Sequence, residues 1–318
     1  MDLINYKSEN KFSQKHLLTL LDYSKDDILQ VLSLALKLKA ERKKGVEHQL
    51  LKGKTLAMIF TKSSTRTRVS FETGFYQLGG YPMFLSSNDI QLGRGETIED
   101  TAKVLSRMAD GIMIRTFAQS DVEALAQHGA IPVINALTDD YHPCQALADL
   151  LTYYEHKGSF TGKVCFIGDG NNVANSLMII CAKMGLDFAI ATPKGCEISA
   201  EITQKCLASA KQSGAAITYT DSPQEAVANA DCVYTDVWAS MGQESQAAEK
   251  YKSFEGFQVN EKLMQLARPD AIFMHCLPAH RGEEVSAGVI DGANSVVFDE
   301  AENRLHAQKA LMVLLMQK

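Results

Sequence analysis

Along almost the whole chain, short runs of apolar and β-branched residues alternate with stretches of helical periodicity, and few folds accommodate that alternation. Runs suited to strands stand at 55–60, 81–85, 111–116 and 132–136, and again at 163–168, 187–192, 216–220, 232–238 and 271–275. Strands separated by helices pair in parallel, because a parallel connection needs a crossover long enough to hold a helix. The expected class is therefore α/β. A helix opened by Ser24 precedes the first series, and a helical stretch near 143–156 divides four runs from five. This predicts two doubly wound parallel-sheet domains joined by interdomain helices, with boundaries at 1–145 and 146–300. The last helical pattern, 301–318, is expected to pack back on the first domain. At 318 residues the chain is long enough for two separate cores.

Charge and composition narrow the function classes. Lys and Arg number 32 against 38 Asp and Glu, for a formal charge of −6, which is not the basic footprint of a nucleic-acid binder. No apolar run approaches the roughly 20 residues that cross a bilayer. The polar start, MDLINYKSENKF, has no secretory or transit pattern, so a cytoplasmic location without a membrane partner is expected. Seven cysteines, an odd number and never spaced C-x-x-C, read as reduced thiols.

In open α/β sheets ligands gather at the carboxyl ends of strands, so polar clusters directly after the strand runs are the candidate chemistry. After 55–60 come Ser63, Ser64, Thr65, Arg66, Thr67 and Arg68 at a helix start. Free N–H groups, hydroxyls and guanidinium forks together suit a dianion such as phosphate. Residues 66 and 68 lie about 200° apart around a helix, so one arginine is expected to grip the ligand and the other to brace the fold. Arg66 is assigned to the ligand. Competing phosphate signatures fail: no GxxxxGK[ST] string exists, and Gly168-Asp169-Gly170-Asn171-Asn172-Val173 misses G-x-G-x-x-G at its last position.

Arg115 ends one strand run, and His142-Pro143-Cys144-Gln145 follows another. An Arg, a His and a Gln at neighbouring strand ends can donate to a carbonyl or phosphoryl oxygen, as acyl transfer requires. In the second half, Asn171 and Asn172 at a helix start and Asp236, Ser240 and Met241 after a strand suit the carboxylate and ammonium of an amino acid. His275-Cys276-Leu277-Pro278-Ala279-His280-Arg281 leaves three readings of Cys276 open: thiolate nucleophile, metal ligand or polar contact to substrate. Strand neighbours 275 and 276 point to opposite faces, which argues against zinc.

Six strings, STRTR at 64–68, HPCQ at 142–145, GDGNN at 168–172, DVWASMG at 236–242, HCLPAHRGEEV at 275–285 and AENR at 301–304, occur in order across both halves. With them the chain resembles the aspartate/ornithine carbamoyltransferase family, and Ser240-Met241-Gly242 places it on the ornithine side. The resemblance implies transfer of the carbamoyl group of carbamoyl phosphate to the δ-amine of L-ornithine, giving L-citrulline and phosphate. It implies no metal and no cofactor. It further implies a homotrimer with shared active sites, open to higher assembly. Carried over by position, Ser64, Thr65, Arg66, Thr67, Arg115, His142, Pro143, Cys144, Gln145, Cys276, Leu277 and Arg304 hold carbamoyl phosphate, with Gln91 reaching in from the adjacent subunit. Asn172, Asp236, Ser240 and Met241 hold ornithine. Arg115, His142 and Cys276 are the catalytic group, and Arg94 is left unassigned. Two alternatives stay open: a carbamoyltransferase for another amine acceptor, and a Cys276–His280 hydrolase.

Overall fold

The computed structural model describes residues 2–92, 95–239 and 247–317, which divide into two compact units. Unit 1 comprises Met1–Ala148 and Glu302–Lys318, and unit 2 comprises Asp149–Ala301. The chain is α/β, and all nine expected strands form within a few residues of their expected ends.

In unit 1, β1 (Thr55–Phe60), β2 (Tyr81–Ser86), β3 (Gly111–Arg115) and β4 (Val133–Leu137) make a parallel sheet in the order β2-β1-β3-β4. Central strands β1 and β3 are buried along almost their whole length, as a parallel sheet covered on both faces demands. Strand β2 lies at the edge, which is where its Pro82 can sit without breaking a ladder. Helix α1 (Lys25–Lys43) begins with a capping box in which Ser24 and Asp27 satisfy each other's backbone amides.

In unit 2, β5 (Lys163–Ile167), β6 (Asp187–Ala191), β7 (Ile217–Thr220), β8 (Cys232–Thr235) and β9 (Ile272–Met274) form a second parallel sheet, ordered β7-β6-β5-β8-β9. Helix α6 (Asn172–Met184) is apolar nearly all round. Burying each of its large side chains, Leu177, Met178, Ile179 and Ile180 among them, stabilises by about 1.5–3 kcal/mol. Both sheets reverse their strand order once, at β1/β3 and at β5/β8, the kind of place where open α/β sheets gather ligands.

The division between the units falls within α5 (Pro143–Lys157) and within α12 (Val297–Met316). Helix α12 begins four residues before its expected start at 301. Its first turn holds Asp299 and Glu300, and Glu300 is 0% exposed. Among the described residues no helix is long and apolar enough to cross a membrane.

Candidate active site

The first cluster stands at the β1/β3 reversal of unit 1. Helix α2 (Thr65–Gln77) starts directly behind β1, and its N-cap Ser64 accepts the Thr67 N–H through Oγ at 3.1 Å. That cap orients the free amides of the first turn, where the helix dipole favours negative charge. Arg68 points into a structural role, pairing with Glu72 at 3.1 Å and lying over the Phe84 ring at 3.7 Å. Arg66, half-buried, lies close enough to His142 to influence its titration. The two side chains thus have different neighbours, Arg68 those of its own surface and Arg66 the His142 imidazole.

Arg115 is set by an irregularity in the sheet. The β3/β4 register shifts between Ile114 and Arg115, pairing Ile114 with Asn135 but Arg115 with Leu137. Such a shift turns the side chain at the strand end, and Arg115 is buried there while its carbonyl accepts from Thr61 N–H. His142 precedes α5, whose first residue is Pro143, and its carbonyl accepts the amides of Gln145 and Ala146. Arg304, on α12, donates through Nη1 to Gln145 Oε1 at 2.7 Å and through Nη2 to Thr67 Oγ1 at 3.2 Å. Burial above all, then the charges of Arg304, Arg115 and Arg66, push the His142 imidazole well below its usual range. It is neutral at physiological pH and keeps one N–H to donate.

Structure therefore brings Ser64, Thr67, Arg66, Arg115, His142, Gln145 and Arg304 into one cationic cluster. Cys144 faces inward instead, donating through Sγ to the Asn135 carbonyl at 3.4 Å, and burial pushes its thiol up to about 12. Gln91 stands exposed in the segment after β2, where no hydrogen bond among the described residues ties it to the cluster.

The second cluster stands at the β5/β8 reversal of unit 2. Asn171 caps α6, its Oδ1 accepting the amides of Val173 and Ala174, and its Nδ2 donates to Asp236 Oδ2 at 2.8 Å. Asp236, directly after β8, also accepts Val237 N–H at 2.8 Å and the Cys276 thiol at 3.0 Å through Oδ1. Asn172 opens the same helix, half-buried beside this carboxylate's partner. Sequence reading missed the Asn171 tie, although an Asn at a helix start is a capping signal. Gly170 lets the loop approach a neighbouring segment: a Cβ there would lie 2.5 Å from the Ile198 nitrogen. Ser240 and Met241, with Arg94, lie outside the described residues.

Burial foremost, and then Asp236, push the Cys276 thiol well above its ordinary range. The histidines beside it are engaged elsewhere, His275 with Glu284 and His280 with Glu283. Cys276 is thus a thiol hydrogen-bonded to a carboxylate, with no imidazole to activate it, which removes the hydrolase reading. The argument from opposite strand faces needs correction, because β9 ends at Met274 and residues 275 and 276 lie beyond it. Asp236, His275 and Cys276 in fact offer ligand atoms all within 4.8 Å of one another. Both imidazole nitrogens already have partners, however, leaving only a carboxylate and a thiol for a metal ion.

Comparison with known proteins matches two family models: aspartate/ornithine carbamoyltransferase, carbamoyl-P binding domain, over residues 15–155, and the Asp/Orn binding domain of the same family over residues 161–315. The chain is 60% identical to the ornithine carbamoyltransferase of Oceanobacillus iheyensis, covering 98% of this chain and 97% of that one. It is 58% identical to that of Bacillus subtilis, covering 96% and 94%. The solved ornithine carbamoyltransferase of Pyrococcus furiosus superposes with a TM-score of 0.94 at 53% identity, covering 96% and 98%.

Proposed function

This chain belongs to the aspartate/ornithine carbamoyltransferase family, and from that membership we infer that it transfers the carbamoyl group of carbamoyl phosphate to the δ-amine of L-ornithine, yielding L-citrulline and phosphate. The observation that carries the reading is the cluster of Arg66, Arg115 and Arg304 against a neutral, buried His142. Three guanidinium groups gathered around one buried imidazole suit a doubly negative ligand.

Carbamoyl phosphate takes unit 1 as its binding domain. Its phosphate sits on the α2 amides with Ser64, Thr65, Arg66 and Thr67, while Arg115, His142, Gln145 and Arg304 address the carbamoyl end. Pro143 and Cys144 set the backbone of that strand end. Ornithine takes unit 2, its carboxylate on Asn172 and its α-ammonium on Asp236, with Ser240 and Met241 closing over it. Cys276 and Leu277 line the reacting centre.

The nucleophile is an alkylamine with a solution pKa near 10.4, so most of it is protonated and inert at neutral pH. Cations around carbamoyl phosphate disfavour an ammonium there, whereas Asp236 stabilises charge at the other end of the same substrate. Attack on the carbonyl carbon gathers negative charge on the carbonyl oxygen. Thr67, Arg115 and the His142 N–H donate to it, and each such donor is commonly worth 10²–10³ in rate, about 3–4 kcal/mol. The C–O bond to phosphate then breaks, and the departing phosphate takes the amine proton. No group on the protein needs to act as base.

A homotrimer, with Gln91 completing the neighbouring subunit's site, belongs to the same reading. Val69 and Tyr76, seven residues apart on α2, are 55% and 74% exposed, an apolar face that suits a partner copy. Purified protein incubated with carbamoyl phosphate and ornithine, with aspartate and putrescine as rival acceptors, should form citrulline almost exclusively. Absence of citrulline, or equal carbamoylation of the rivals, would dispose of the assignment.

A further inference from the structure

Three buried groups outside the catalytic list converge on the loop that carries Cys276 and Leu277. His275 and Glu284 are both 0% exposed, and the imidazole Nε2 meets Glu284 Oε1 at 3.2 Å. On the other side of the ring, Nδ1 lies 2.9 Å from the Leu277 backbone nitrogen. A backbone amide can only donate, so Nδ1 carries no proton. The ring proton is therefore on Nε2, where it is donated to Glu284, and one tautomer is dictated by its two partners. Glu284 Oε1 accepts the His280 amide as well, at 2.6 Å, and Glu300 Oε2 accepts the His275 amide at 2.9 Å. Tyr234 steadies Glu300 from below, donating to its Oε1 at 2.9 Å.

Side chains thus hold the amides of residues 275, 277 and 280. Leu277 needs this support, since its φ of 58° puts a branched side chain in the left-handed region. Such a conformation is costly for a residue other than glycine, and it persists only where the surroundings over-determine it. Two completely buried ionisable groups spent on orienting one half-buried turn are hard to explain by packing, because apolar residues of similar size would fill the volume more cheaply.

We propose that His275 and Glu284 are positioning residues for carbamoyl transfer: Glu284 sets the imidazole tautomer, and the imidazole Nδ1 holds the Leu277 peptide so that Cys276 and Leu277 face the substrates in one fixed geometry. The inference rests on the carbamoyl-transfer reading and adds two residues to it. Neither residue touches a reacting atom. The Cys276 thiol bonds to Asp236 and not to His275, so the pair acts through the backbone of the turn and not through proton transfer.

Isosteres separate this role from a merely structural one. Asn at 275 places an amide oxygen where Nδ1 stands, preserving an acceptor for Leu277 N–H while losing the reach to Glu284. Gln at 275 reaches Glu284 but leaves Leu277 N–H without its acceptor. His275→Asn should keep kcat within a few-fold of the parent, whereas His275→Gln should lose about 10²-fold, the scale of an ångström-sized misplacement. Glu284→Gln, which still offers an acceptor oxygen, should lie near the parent, and Glu284→Ala should fall with His275→Gln. The inhibition constant of inorganic phosphate should stay unchanged throughout, since its cradle is in unit 1. Equal losses in the Asn and Gln variants, a parent-like His275→Gln, or a phosphate constant that moves with kcat would overturn the proposal. Should His275→Gln fail to fold, the Glu284→Gln and Glu284→Ala pair decides alone, equal kcat in the two counting against it. A parent protein that makes no citrulline would instead strike the functional reading itself.

Discussion

Replacing Arg66 by Met removes one guanidinium from the dianion cradle and leaves the apolar stem, so its effect falls on ligand binding. A hydrogen bond to a charged group contributes about 1.5–3 kcal/mol, which weakens phosphate by roughly 10- to 150-fold. With phosphate at about 100 times the parent dissociation constant, binding stabilises the parent by roughly 2.7 kcal/mol. A 30-fold weaker variant at the same concentration retains only about 0.9 kcal/mol. For a folding unit of this size about 3 °C corresponds to each kcal/mol, so the phosphate-induced rise in melting temperature should shrink from about 8 °C to about 3 °C. The control is Arg68→Met, two positions away. It breaks the Glu72 pair and the stacking on Phe84, both on an exposed side chain, and should lower stability by no more than about 1 kcal/mol. Its phosphate shift should match the parent. Differential scanning fluorimetry across a phosphate titration reads both variants. If Arg66→Met keeps the full shift, or Arg68→Met loses it, the division of labour between these arginines is wrong.

Acid should weaken the fold through its buried histidines. His142 is pushed well below its ordinary value by burial and three arginines, and His16, whose Nδ1 accepts Val133 N–H, is lowered to about 4, chiefly by burial. An unfolded chain binds protons at these sites below pH ~6.5 while the folded one refuses them, so stability is complete above that pH and declines below it. His142 alone contributes up to about 1.4 kcal/mol per pH unit, and urea midpoints at pH 8, 6.5 and 5 should show the decline and its flattening in His142→Gln; a flat profile in the parent contradicts this. Cys276 should resist iodoacetamide at pH 7 far longer than a free thiol, and Cys276→Ser should retain measurable citrulline formation; rapid alkylation, or a carbamoyl-cysteine trapped by mass spectrometry, would point to covalent catalysis. In Gly170→Ala the new methyl meets backbone of residues 196–198, so the β5–α6 loop must shift. Its KM for ornithine should rise about tenfold or more with phosphate inhibition intact, and an unchanged KM would detach that loop from the acceptor.

Strand positions were legible because a parallel sheet buried on both faces writes itself as uninterrupted apolar runs such as TLAMIF and GIMIR. The start of α2 was legible for a different reason: hydroxyls immediately behind a strand declare a helix cap, and Ser64 supplies it. What the sequence concealed was long-range pairing of polar groups. Glu284 and Glu300 look like surface acids in their own neighbourhoods, and only the fold reveals that each accepts a backbone amide from the loop after β9. Likewise, the α12 start was hidden because its acidic first turn has no apolar periodicity. The facing of residues 275 and 276 was misjudged because a strand was assumed to continue one residue past its end.

Each sheet reverses its order once, and under the proposed function this gives donor and acceptor separate sets of strand ends. The loops after β5 and β8 carry Asn171, Asn172 and Asp236, while Arg66, Arg115 and Arg304 stand at the start of α2, the end of β3 and on α12. Retargeting the enzyme to a shorter diamine or to an acidic amino acid is therefore a transplant of two short segments onto an intact scaffold. The donor-gripping machinery can be inherited whole, so libraries confined to those segments should change which nucleophile is accepted without forfeiting the activated carbonyl compound.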